Sequence, residues 1–114
     1  LSTDERNALL LEMRIWLQSA QGVLAATTAG DFAAVASTAR ASGMAAEAET
    51  PASLFRKIPL EMKRLGFDTR QKFDEIAADA EKLKDRQHTM TQLSIAMNNC
   101  IACPAIYRFS DTGK

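Results

Sequence analysis

A chain of 114 residues with 14 basic and 14 acidic side chains has room for one domain and a single core. Its charge balance gives no electrostatic reason to expect nucleic acid or an anionic membrane as a partner. No run approaches the roughly 20 apolar residues that span a bilayer, and two cysteines do not make a disulfide framework.

Alanine is abundant, and glycine and proline are sparse inside the long segments, which favours helices. Ser2 with Glu5 reads as a capping box. Behind it Leu9, Met13, Trp16, Leu17, Ala20, Leu24 and Thr27 fall on one helical stripe. Gly30 is the natural stop, so the first helix is predicted over Thr3–Ala29. Asp31 caps a second helix that turns Phe32, Val35, Ala36 and Ala39 inward and ends near Gly43. The stretch "MAAEAETPASLFRKIPLEMKRLG" carries Pro51, Pro59 and Gly66. Prolines start helices more readily than they sit inside them. This region is therefore predicted as a crossover with one or two short helices, one of them running from Pro59 to Gly66.

Asp68 with Gln71 reads as a second capping box. It opens a helix that buries Phe73, Ile76, Ala77, Ala80 and Leu83 and ends near Arg86. A last helix is predicted from Thr89 or Thr91, with Leu93, Ala96, Met97, Cys100, Cys103 and Tyr107 on its inner side. Asp74, Glu75, Asp79, Glu81, Lys82, Lys84 and Asp85 read as solvated charge, as do Arg70 and Lys72. His88 reads as a surface position near a helix start. Four main helices with mostly short connections and one longer crossover predict a single all-α domain over 1–114, an antiparallel four-helix bundle. No Ser–His–Asp, Cys–His or paired-carboxylate arrangement can be assembled, so an enzyme is not expected.

Both cysteines lie in "MNNCIACPAIYRF", as Cys100 and Cys103. A Cys-x-x-Cys pair followed at once by histidine attaches c-type haem, and here the next residue is Pro104. With the four-helix pattern and the motif close to the C-terminus, the chain resembles the class II cytochromes c, the cytochrome c-prime group and its low-spin, methionine-ligated relatives. That family carries Cys-x-x-Cys-His-x-x-Tyr-Arg in its last helix. This chain matches at Cys100, Cys103, Tyr107 and Arg108 and departs at Pro104.

The resemblance implies a haem c held by thioethers to Cys100 and Cys103. It places Met13, in "LLLEMRIWL", on the distal side of the iron with Trp16 nearby, and Arg108 close to a haem propionate. It further implies an electron-transfer or small-gas-binding protein, a redox partner protein and a homodimer formed through the first two helices. The location it implies is the periplasm, with a signal peptide removed before Leu1. Pro104 supplies neither an iron donor nor a backbone N–H. A proline inside a helix costs about 3 kcal/mol and tends to kink it. His88 lies 15 residues before Cys103, about 22 Å along a helix, too far to replace the missing ligand.

Three readings of the cysteine pair stay open. The first is a haem or former-haem site, whose pocket, if empty, closes onto Met13, Trp16, Phe73 and Met97 or holds another apolar ligand. The second is a Cys100–Cys103 dithiol–disulfide in a haem-free binding or structural protein. Such pairs are reactive mainly at helix N-termini or beside cations, and this one lies deep in the last predicted helix. The third is metal, for which two cysteines and one remote histidine fall short of the four ligands of a closed zinc site.

Overall fold

The computed structural model of the protein describes residues 2–49 and 51–106. Helix α1 (Thr3–Ala29) opens on the expected capping box. The Glu5 N–H donates to Ser2 Oγ (3.1 Å) and the Ser2 N–H to Glu5 Oε1 (2.8 Å). It closes at Gly30, whose φ of 74° is a left-handed conformation that glycine adopts without strain. Helix α2 (Phe32–Arg40) starts from Asp31, whose Oδ1 accepts from the Ala34 N–H at 3.0 Å. A 3₁₀ segment (Met44–Glu49) and the short helix α3 (Ala52–Lys57) form the crossover. Two long helices follow, α4 (Leu60–Leu83) and α5 (Arg86–Ile106). Among the described residues the fold is entirely helical, and no helix is long and apolar enough to cross a membrane.

Helix α1 packs on α2 and α5, and α4 packs on the same two helices from the other side. The core holds Val23, Val35, Phe73, Ile76 and Leu93, with Ala20, Ala36, Ala39, Ala77, Ala80 and Ala96 between them. So many alanines draw the helix backbones together. A Cβ added to Gly22 of α1 would lie 2.8 Å from Thr38 Cγ2 of α2. Close approach also lets short polar side chains bond between α1 and the turn after α2: the buried Ser19 and Ser42 hydroxyls are 2.5 Å apart.

Several expectations are corrected. Gly66 does not end a helix, because α4 runs from Leu60 to Leu83 without interruption. A glycine inside a helix costs about 1 kcal/mol, less than the burial on either side of it returns. The Asp68–Gln71 capping box is therefore absent, and Asp68 instead accepts from Asn99 Nδ2 at 2.6 Å. Helix α5 starts at Arg86 rather than Thr89, since the Asp85 carboxylate accepts from the His88 N–H at 3.2 Å and fixes the first turn. Leu17, Leu24, Leu83 and Met97 are exposed, not inward. Asp74 is not simply solvated: it accepts from the Met44 N–H at 2.9 Å, and a side chain at Gly43 would run into its carboxylate. Helix α5 continues through Pro104 to Ile106.

Two predictions follow from the helix ends. Lys84 caps α4 with φ 49° and ψ 45°, a region that strains any residue with a Cβ. Lys84→Gly should raise stability by about 1 kcal/mol in chemical denaturation; a loss would mean that the lysine side chain contributes more than its backbone costs. Glu5 is buried and its carboxyl is held down at about 2, first by Lys57 Nζ at 2.8 Å and then by the Ser2 N–H. A depressed carboxyl stabilises the fold above its unfolded value and loses that contribution as pH falls. The stability gap between wild type and Glu5→Gln should thus be largest at neutral pH and close as pH drops from about 4.5 toward 2. A gap independent of pH would refute the link.

Candidate functional site

One cavity of about 50 Å³ opens at the end of the molecule where α1 and α4 begin and α5 finishes. Helix α1 gives it Leu9, Glu12, Met13 and Trp16, spaced so that all four lie on one face. Leu54 and Phe55 of α3 cover it, the first half of α4 lines it from Met62 to Thr69, and Asn99 closes it from α5. Its wall is mostly apolar. Phe55 and Phe67 meet at 5.8 Å between ring centroids, and Lys63 Nζ sits 4.7 Å over the Phe55 ring. Gly66 belongs here: a Cβ added to it would lie 3.7 Å from the Trp16 ring, so a larger side chain would crowd the indole.

Polar groups hold this end in shape. Arg70 is 3 % exposed. Its guanidinium pairs with Glu12, lies 5.3 Å from the Trp16 ring centre and places Nη1 3.4 Å from the Gly43 carbonyl. Burial pushes the guanidinium below its ordinary value. On the α5 side Asn99 Nδ2 donates to Asp68 Oδ2 and, at 3.2 Å, to Thr69 Oγ1. That bond, followed by Lys72, lowers the Asp68 carboxyl. The Trp16 Nε1–H is buried with no acceptor among the described residues.

Of the site residues expected from sequence, the structure brings Met13 and Trp16 together at the cavity. Cys100 follows Asn99 and continues the α5 stripe of Thr89, Leu93 and Ala96 by steps of four, three and four. It is nonetheless exposed. Neighbouring atoms still crowd its sulfur enough to raise the thiol above its ordinary value. The Cys103 side chain and Arg108 lie outside the described residues. Phe73 sits in the main core and Met97 faces outward, so neither joins the cavity. His88 is half-exposed in the first turn of α5, with Nε2 2.9 Å from Asp79 Oδ2. Among the described residues no cluster of three or more His, Cys, Asp or Glu side chains is placed to hold a metal.

Sequence reasoning missed Glu12, Arg70 and Asn99. Arg70 carried a readable signal: 70, 73, 77 and 80 share one stripe, so it is in register with Phe73, Ala77 and Ala80. Comparison with protein-family models, with curated proteins and with solved structures finds no match.

The chemistry of the donor set bears on the haem that the resemblance implies. Two cysteines with two residues between them are the sequence pattern of thioether attachment, and Met13 lines the cavity. The residues do not fit a histidine-ligated iron, because Pro104 stands where the nitrogen donor is needed. The cavity is also well below the roughly 300 Å³ of small ligand pockets.

Removing one partner of a buried ion pair leaves an unpaired buried charge. Glu12→Gln should therefore cost about 3 kcal/mol of stability, while Glu12→Leu with Arg70→Met should recover most of that loss. A double-mutant cycle by urea denaturation checks this, and additive single effects would show that the pair is not coupled.

Proposed function

We propose that the protein is a cytochrome-c-like antiparallel four-helix bundle of the class II type. Its four main elements are α1, α2, α4 and α5, with α3 and the 3₁₀ segment as the crossover. It belongs to the electron-transfer or small-gas-binding class and works with a redox partner protein in the periplasm. The observation that carries this reading is the shared cavity. Met13 and Trp16 of α1 meet Asn99 there, the residue before the cysteine pair. The resemblance requires the distal side chains and the attachment motif to converge on one end of the bundle.

Pro104 favours a second reading, in which the bundle carries no haem. It is then a binding or structural protein whose only chemistry is a Cys100–Cys103 dithiol–disulfide. The raised Cys100 thiol argues against a thiolate catalyst within that reading, because the thiolate is the nucleophile.

The readings separate by a visible spectrum and an intact mass of protein expressed in a host that matures c-type cytochromes. A Soret band with the mass of one added haem supports the haem protein. No band and an unmodified mass support the haem-free bundle. Pro104→His should restore the band if the pocket persists. If that variant also stays colourless, the haem reading fails for this chain.

A further inference from the structure

Two donors at the cavity have no acceptor. Trp16 lines it, and the buried Trp16 Nε1–H has no hydrogen-bond partner among the described residues. Lys63 lines it too. Its ammonium group lies 4.7 Å over the Phe55 ring and has no carboxylate paired to it among the described residues. The two residues are neighbours in the fold. Lys63, Gly66 and Arg70 fall on one face of α4 by steps of three and four. The Trp16 ring lies beside both Gly66 and Arg70. Lys63 therefore stands about 5 Å along the helix axis from the point where the indole packs.

The polar side chains on the other walls are already engaged. Glu12 is paired with Arg70. The Asn99 amide donates to Thr69 Oγ1 and Asp68, and Thr69 Oγ1 donates to the Leu65 carbonyl. Glu12 and Lys63 are the charged residues of the lining. Arg70 neutralises the first, so the lining is left with the positive charge of Lys63.

We propose that the cavity binds a short-chain monocarboxylate. Its carboxylate accepts from the Lys63 ammonium group and the Trp16 Nε1–H, and its alkyl tail lies among Met13, Leu54 and Met62. The site rests on the haem-free reading and gives that reading its ligand. Charge selects the headgroup. A buried donor left without an acceptor is costly, and a carboxylate offers two acceptor oxygens, enough for an ammonium group and an indole N–H together. An alcohol would leave the ammonium charge uncompensated. A cation is opposed by Lys63 and by Arg70 beside Trp16. Size selects the tail. A water needs on the order of 10–15 Å³ of such space, and an apolar cavity that takes benzene has about 150 Å³. A cavity of about 50 Å³ thus admits an alkyl group of about three or four carbons, as in butyrate, and no aromatic acid. The unbranched thioether chains of Met13 and Met62 can shift to suit it.

The test follows the indole. The 114-residue chain has one tryptophan, so the Trp16 Nε1–H gives a single indole peak in a proton–nitrogen correlation spectrum. The absorption spectrum of the same sample is taken first. A Soret band would refute the haem-free reading, and this proposal with it. On protein without haem, sodium butyrate at constant ionic strength should move the indole peak and saturate in the millimolar range. Acetate, two carbons shorter, should bind about tenfold more weakly. Butanol, with the same tail and no charge, should also bind about tenfold more weakly. Lys63→Gln, with helicity unchanged, should bring butyrate down to the level of butanol. A haem-free protein whose indole peak ignores butyrate would overturn the proposal and leave the haem-free reading standing. Equal binding of butyrate and butanol, or butyrate binding unchanged by Lys63→Gln, would overturn it too, because the cavity would then have no headgroup site.

Discussion

The buried guanidinium of Arg70 constrains this fold more than any single apolar contact. Helices α1 and α4 lie on the diagonal of the ring and share little direct backbone contact. The Glu12–Arg70 pair spans that diagonal, and Trp16 lies beside it. A buried cation must keep its partners or destabilise the fold. The pair therefore fixes the rotation of both helices about their axes. It also ties down the chain after α2, since Arg70 reaches the Gly43 carbonyl while Asp74, one turn further along α4, accepts from Met44.

The pair divides the molecule into two parts that pack differently. On one side, alanines and a few branched residues let the helices close tightly around Val23, Val35 and Ile76. On the other, larger side chains from α3 and the start of α4 meet Met13 and Trp16 without filling the space, and the cavity remains. Arginine suits the boundary because its flat guanidinium can face an indole while bonding a carboxylate. The cavity is thus a consequence of the chain's layering: small residues where helices touch, bulky residues where a crossover must be accommodated.

Most of the helical framework was legible in the sequence because it rests on local rules. The Ser2–Glu5 box, Gly30 and Asp31 each act through neighbours within a few residues, and each does so here. The inner residues of α2 and the Phe73–Ala80 stripe were equally plain, since burial follows the helical period. Errors arose where local signals compete with tertiary contacts. Gly66 looks like a stop, but it lies against Trp16 inside a helix whose far half is anchored by Arg70 and Phe73. Leu17 and Leu24 look like core because they are leucines near the stripe, yet they lie on its flank. Of the cavity, Met13 and Trp16 were legible from the helical stripe they share with Leu9. Asn99 was hidden because an amide reads as surface until its partner on another helix is known, whereas Arg70 stands in the buried register of Phe73, Ala77 and Ala80 and reads as surface by its charge alone.

Helix α5 brings these points together. Its inner stripe of Thr89, Leu93 and Ala96 is buried, while Met90, Met97 and Ile101 form a second apolar row on the α1 side, and Ile95 is exposed on a third side. Its exposed positions also carry Gln87, Thr91, Ser94 and Asn98, so α5 presents polar as well as apolar surface where α1 and α4 do not cover it. Exposed apolar rows of this length mark places where other matter is covered or bound. Toward its end Cys100 continues the inner stripe and is exposed, while its sequence neighbour Asn99 lines the cavity. The two surfaces differ in character: the lateral row is apolar side chain exposed along the helix, and the terminal stretch carries Asn99, whose amide bonds Asp68 and Thr69 where it lines the cavity. One helix thus carries a buried stripe, an exposed apolar row and a polar contact to α4, each set by its position around the helical turn.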